Sequence, residues 1–223
     1  MKETVMVIAA HADDEALGCG GTMARLAAEG AQIHVVFMAD GVHSRKGSSQ
    51  NHLKLRREAA EKAQKILGSE RGHFLNLPDN QMDQVPFLKI VQKLETLIEK
   101  YKPKVIFTHF YGDLNVDHRI TQQAVMTACR PQPKCGVKEI YGFEIVSSTE
   151  WSTPQETSFS PNVHVDITQF FASKVRALEA YAEEMRAAPH TRCLNHVEAL
   201  AKHRGYSAGF EYAEAFVAYR ILR

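Results

Sequence analysis

Four residues carry the chemistry this chain can be expected to do. They are His11, Asp13 and Asp14, in Ala10-His11-Ala12-Asp13-Asp14-Glu15, and His118, which closes Asp113-Leu114-Asn115-Val116-Asp117-His118. The first cluster follows an apolar run, Val5-Met6-Val7-Ile8-Ala9, so a strand ends in one imidazole and three acids where a nucleotide-binding fold would place glycines. Such a pocket suits a cation and would repel a pyrophosphate. Two adjacent acids on a tight loop cannot easily aim both carboxylates the same way, so Asp13 and Asp14 suit different jobs, one ligating a metal and the other handling a proton. Imidazoles from His11 and His118 would complete an open site of two nitrogens and one oxygen. Zinc held in this manner, at roughly 2.0–2.2 Å, keeps a fourth position for water and lowers the pKa of that water to about 7. That is the apparatus of a hydrolase.

These residues need elements to bring them together. Apolar runs alternate with amphipathic stretches: Val5 to Ala10 then Leu17 to Glu29, Ile33 to Ala39 then Leu53 to Leu67, Phe74 to Leu77 then Val85 to Tyr101, Val105 to His109 then His118 to Cys129. Short connections between such units imply a doubly wound α/β fold, with a mostly parallel sheet covered by helices on both faces. Beyond Arg130-Pro131-Gln132-Pro133-Lys134 come strand-like Ile140 to Val146 and Val163 to Ile167, then helical Phe170 to Ala187 and Leu194 to His203; Pro154, Ser158, Ser160 and Pro161 bound a surface loop. In open parallel sheets ligands bind outside the carboxyl ends of the strands. Those positions hold His11, Asp13 and Asp14 after the first strand, Asp40 after the second, Asp79 after the third, and His109 through His118 after the fourth. His109 is read as part of the site or as support behind it. His34 and His73, inside or at the start of strands, are read as structural, and His43 is unassigned.

The 223 residues, 44% of them hydrophobic, suffice for one packed domain, expected to span 1–223. Lys plus Arg (27) nearly cancels Asp plus Glu (26), which argues against nucleic acid or anionic lipid as partner. No run approaches the ~20 apolar residues of a membrane span. The start Met1-Lys2-Glu3-Thr4 lacks a basic leader, and Cys19, Cys129, Cys135 and Cys193 show no metal-binding or disulfide spacing, so a cytoplasmic protein is expected.

The segment Ala10 to Glu15, the Gly112-Asp113-Leu114-Asn115-Val116-Asp117-His118-Arg119 stretch and the tail Arg204-Gly205 with Ala213-Glu214-Ala215-Phe216 together resemble the PIG-L/LmbE-like family of metal-dependent de-N-acetylases. The resemblance implies a Rossmann-like fold and removal of acetyl from an N-acetylated amino sugar, free or conjugated, with zinc, iron or another divalent metal. By the family pattern His11, Asp14 and His118 are ligands and Asp13 is the general base acting on metal-bound water. It also implies a small-molecule sugar as partner and homo-oligomers, for which the Pro131 to Cys135 loop and the Trp151 segment would supply an interface. Two positions depart from the pattern. Ala12 replaces a proline, and Asn115 stands where many members carry a His that stabilises the oxyanion and protonates the leaving amine. An amide delivers no proton at neutral pH, so Asn115 is left the oxyanion role, and the proton comes from Asp13 returning what it removed or from another rim group such as His109.

Plainer readings compete at several positions. The acids at 13 and 14 could simply cap a helix, as could Asp117, while Asp113 and Asn115 could be turn formers. Asp79, Arg56, Arg57 and Arg192 are candidate substrate contacts, although Arg56 and Arg57 lie in a charged run with Lys54, Glu61, Lys62 and Lys65 that reads first as solvated surface. Gly18-Cys19-Gly20-Gly21 reads as close helix-to-sheet packing. Gly205-Tyr206-Ser207-Ala208-Gly209 spells a nucleophile elbow but follows a helix, with no later His to serve the serine. An amidase for another acyl amide, and a silent metal- or sugar-binding protein, are the alternative functions.

Overall fold

A computed structural model describes residues 3–42, 49–133, 135–153 and 158–223. His43, Lys134 and Pro154 of the sequence reading lie outside them. Seven strands form one sheet in the order β3-β2-β1-β4-β5-β7-β6. The strands β1 (Thr4–Ala9), β2 (Gln32–Ala39), β3 (His73–Leu77), β4 (Val105–His109) and β5 (Glu139–Phe143) pair in parallel. The last two, β6 (Val163–Asp166) and β7 (Ala213–Ile221), run antiparallel along one edge. Central β1 is buried from Val5 to Ala9, as a strand with helices above and below must be, which is why its sequence is a continuous apolar run instead of an alternating one.

Two cores flank the sheet. One packs Val5, Val7 and Phe37 against α1 (Asp14–Ala28), α2 (Gln50–Leu67), α5 (Phe171–Ala180) and α6 (Leu194–Tyr206); the other packs Met6, Ile8 and Ile106 against α3 (Phe87–Tyr101) and α4 (Val116–Ala128). The mostly parallel, two-faced sheet expected from the β-α alternation is therefore present. The tail strand β7 was not anticipated. It lies between β5 and the edge strand β6, and Glu214 on it performs a specific task. The glycines at 18, 20 and 21 let α1 break its helical path at Cys19 (φ −146). There Glu214 accepts from the backbone N–H of Gly21 (2.9 Å) and Thr22 (2.7 Å), while Lys174 donates to the carbonyl of Leu17 (2.7 Å) and to Glu214 (2.6 Å). Those bonds replace the ones the break removes. A Cβ at Gly18 would stand 2.4 Å from the Phe143 ring and one at Gly21 2.7 Å from Ile167, so the glycine cluster serves packing, as its letters suggested.

The chain winds from β1 toward β3 on one side and from β4 toward β5 on the other. The carboxyl ends of β1 and β4 thus flank the point where strand order reverses. His11, Asp13 and Asp14 leave one of these ends, and the Phe110 to His118 segment leaves the other.

Candidate active site

Three side chains from the two strand ends converge. His11 Nδ1 lies 3.3 Å and His118 Nε2 3.4 Å from Asp14 Oδ2, and the three residues each offer a donor atom within 4.8 Å of the others. All are buried. The outer nitrogens face carboxylates: His11 Nε2 is 3.1 Å from Asp117 Oδ2 and 3.2 Å from Asp79 Oδ1, and His118 Nδ1 is 3.0 Å from Asp113 Oδ1. A carboxylate behind an imidazole fixes its tautomer and turns its free lone pair inward, as at metal-binding histidines. Asp14 Oδ2 accepts from the backbone N–H of His11 (2.8 Å), whereas Asp14 Oδ1 is buried with no hydrogen-bond partner among the described residues. A carboxylate oxygen orphaned at 0% exposure is costly in a protein interior, and coordination to a cation would satisfy it. Two imidazole nitrogens and one carboxylate oxygen therefore fit a divalent metal such as zinc.

The electrostatics of the group agree. Burial works against charge on Asp14, yet His118, His11 and His109 overcome it and hold this carboxyl well below the usual range. Burial likewise opposes protonation of His118, but Asp14 and Asp113 push its imidazole up to about 9, and Asp113 itself, against its own burial, is held down to about 2 by His118, Ser148 and Thr149. The rim is thus a nest of anions that draws positive charge toward the imidazoles.

Asp13 stands apart from that triad. Its carboxylate makes no cap bond to α1; Oδ1 accepts from Arg56 Nη2 (3.2 Å) and Oδ2 from Arg192 Nη1 (2.7 Å). Burial raises its pKa while the two guanidiniums pull it back down. The helix-cap reading of the two acids therefore does not describe their side chains. Capping of α4 falls instead to Asn115, whose Oδ1 accepts from the N–H groups of Asp117 (2.8 Å) and His118 (3.4 Å), and whose Nδ2 donates to Asn80 Oδ1 (3.0 Å). Asp117 accepts from the backbone of Asn80 (2.7 Å) and Met82 (3.1 Å).

The remaining sequence candidates divide. Arg56, expected first as solvated surface, is buried and bridges Asp13 and Glu184; Arg192 reaches Asp13 and Ser147; Asp79 sits against the outer nitrogen of His11. Arg57, its neighbour, points elsewhere: it contacts Asn76 and lies over the Phe74 ring, 5.2 Å from the centroid. His109 lies behind the site. Its ring is fully buried and stacked on His118 at 4.0 Å between centroids, and its Nε2 accepts from the Ala10 N–H (2.8 Å). Burial and the neighbouring His118 drive its pKa well below the ordinary value. A neutral imidazole with its acceptor nitrogen occupied is no proton donor. Ser207, of the apparent elbow, merely closes α6 and donates to the Arg204 carbonyl.

A cleft of about 140 Å³, open to solvent, is lined by His11, Asp13, Arg56, Asp79, Asn115, His118 and Arg192 among others. Ser147, Ser148 and Glu184 also line it and were not singled out from the sequence. Ser148 donates to Asp113, so it supports the site through His118. Glu184 had no signal to offer, being an acid in a stretch that read as continuous helix.

Comparison with known proteins bears on this arrangement. Residues 6–129 match the family described as GlcNAc-PI de-N-acetylase, PIG-L. The chain is 31% identical over 186 residues to the uncharacterized deacetylase YaiS of Escherichia coli, covering 81% of this chain and 91% of that protein. It is 25% identical over 223 residues to the diacetylchitobiose deacetylase of Thermococcus kodakarensis, covering 94% and 80% respectively. The solved structure of N,N'-diacetylchitobiose deacetylase from Pyrococcus horikoshii, complexed with an inhibitor, superposes with a TM-score of 0.79 at 20% identity, over 98% of this chain and 84% of that one.

Proposed function

The chain belongs to the PIG-L, or GlcNAc-PI de-N-acetylase, family, and on that footing we propose that it is a zinc-dependent hydrolase removing the acetyl group from an N-acetylated amino sugar. The observation that carries this reading is the division of labour at the rim. His11 Nδ1 and His118 Nε2 converge on Asp14 Oδ2, the other oxygen of that carboxylate has no hydrogen-bond partner among the described residues, and Asp13, one residue away, is held by two arginines instead. Deacetylases among the relatives, one acting on diacetylchitobiose, supply the substrate class.

A divalent ion held by those three residues would acidify water and polarise the acetyl carbonyl. The other steps belong to the side chains. Asp13 takes the proton of the attacking water. Asn115 has its Oδ1 committed to the α4 cap, but Nδ2 carries two N–H groups and, among the described residues, only Asn80 accepts from it, so the second is available to the oxyanion that forms on the acetyl oxygen. With His109 sealed behind His118, the proton for the departing amine comes from Asp13, which returns what it accepted. The products are acetate and the free amino sugar. Arg56, Arg192 and Asp79 offer polar groups to the sugar hydroxyls at the cleft wall.

The test is acetate release by metal-reconstituted protein from N-acetylglucosamine and its conjugates, beside a panel of other acyl amides. Acetate from the sugars and none from metal-stripped protein is the expected result. Turnover confined to other acyl amides would make it an amidase of different specificity, and stoichiometric metal with no turnover on any of them would make it a binding protein.

A further inference from the structure

The backbone of Asp13 is in a conformation that L-residues rarely adopt, with φ 136 and ψ −28. Asn80 and Ser147, also at the cleft, have positive φ, but at 53 and 68 they fall in the ordinary left-handed region; Asp13 lies far outside it. Strain of this kind persists only where surrounding contacts enforce it, and here they form a closed ring. The Asp13 N–H donates to Glu15 Oε2 (3.1 Å), and the Tyr181 hydroxyl donates to Glu15 Oε1 (2.6 Å). The Glu184 N–H donates to the Tyr181 carbonyl (2.8 Å), Arg56 Nη1 donates to Glu184 Oε1 (2.7 Å), and Arg56 Nη2 returns to Asp13 Oδ1 (3.2 Å). Every side chain in the ring is buried.

We propose that the turn Tyr181 to Glu184, just beyond α5, is a clamp that grips Asp13 at both ends, through Glu15 at its backbone and through Arg56 at its carboxylate, and so keeps that carboxylate off the His11–Asp14–His118 triad. Tyr181 and Glu184 are accordingly positioning residues. Relaxation of Asp13 to an ordinary φ would swing its Cα–Cβ bond and with it the carboxylate, whose neighbour Asp14 is pinned independently by the His11 N–H. The role assigned to the clamp in turnover rests on the proposed deacetylase reading, whereas the clamp itself is a statement about the backbone.

The experiment has two arms. Asp13→Gly and Asp13→Ala are compared by thermal unfolding, first in the otherwise unaltered chain and then in a Tyr181→Phe, Glu184→Gln background, both near-isosteric changes. Both variants lack the carboxylate that Arg56 holds, so they read the backbone end of the clamp, where Glu15 still takes the N–H of residue 13; glycine tolerates the positive φ and alanine does not, so the glycine variant should melt roughly 3–6 °C above the alanine variant in the first background. That gap should shrink by about half or more in the second, where the backbone is free to relax. No gap in the first background would overturn the strain, and an undiminished gap in the second would overturn the clamp. In the kinetic arm, Tyr181→Phe should lower kcat on the order of 10-fold, with KM within roughly twofold and bound metal unchanged. A raised KM at constant kcat, or lost metal, would overturn the positioning role. A wild-type protein that released no acetate would sink the deacetylase reading and leave the thermal arm to decide the clamp.

Discussion

Two neighbouring aspartates, Asp13 and Asp14, have opposite surroundings. Asp14 meets two imidazoles and has an orphan oxygen, whereas Asp13 meets two guanidiniums. Replacing the second should spare the metal. Asp13→Asn is expected to retain a full complement of bound metal while losing on the order of 10²- to 10⁴-fold in kcat, as measured by acetate release beside metal analysis. Near-normal turnover by that variant would contradict the base assignment. Behind the triad, Asp113 steadies His118 and is itself held by Ser148 and Thr149. Asp113→Asn should therefore weaken metal affinity by roughly 10- to 100-fold in a chelator competition, with little change in kcat once the site is saturated. The sequence made these residues legible because His11, Asp13, Asp14 and His118 sit where apolar runs end. Asp113 and Asp117 were visible in the same segment, but only as turn and cap formers, since their partners Ser148 and Asn80 are distant in sequence.

Elements transmit these positions. The break in α1 at Cys19 is bridged by the buried Lys174–Glu214 pair, and the first turn of α1 carries Asp14 and Glu15. Lys174→Met removes one partner and leaves Glu214 charged in the interior, so a loss of about 3–5 kcal/mol is expected in denaturant unfolding. A change under 1 kcal/mol would mean that the Gly21 and Thr22 amides alone suffice for Glu214. At the amino-terminal half of the sheet, away from the site, His34 on β2 lies 5% exposed against Tyr101, with ring centroids 4.0 Å apart. Burial, then His73 and Lys100, lower its pKa below 6.5, so the folded chain refuses a proton that the unfolded chain accepts. Stability should accordingly be fullest above about pH 6.5 and decline as the pH falls through the folded-state value; His34→Leu should flatten that decline in chemical denaturation series at several pH values. Periodicity identified every parallel strand but not β7. The expected helix 170–187 ends at Ala180 because Tyr181 and the turns after it are held by Glu15 and by one another, contacts that hydrophobic spacing does not encode.

For the whole molecule, the sheet order explains why distant segments cooperate. Placing β1 beside β4 puts the reversal of strand order under the triad, so His11 and His118, more than a hundred residues apart, share one rim. The alternation of apolar and amphipathic segments was enough to anticipate that architecture, and the acids and imidazoles at strand ends were enough to anticipate which side chains would come together at one rim. Of the cleft wall, Asp79, Arg56 and Arg192 were among the sequence candidates while Ser147, Ser148 and Glu184 were not; Arg56 and Arg57 are indistinguishable as letters in a charged run, and only packing turns one inward. Among the described residues no helix is long and apolar enough to cross a membrane. On the proposed reading one divalent ion is gripped by His11, Asp14 and His118, with Asp13 held outside its coordination shell by Arg56 and Arg192. A crystal structure of zinc-loaded protein, with the ion located by anomalous scattering, tests it most directly. The ion should lie roughly 2.0–2.2 Å from His11 Nδ1, from an Asp14 oxygen and from His118 Nε2, with both Asp13 oxygens beyond bonding reach. An ion coordinated by Asp13, or seated between His11 Nε2, Asp79 and Asp117, would contradict it.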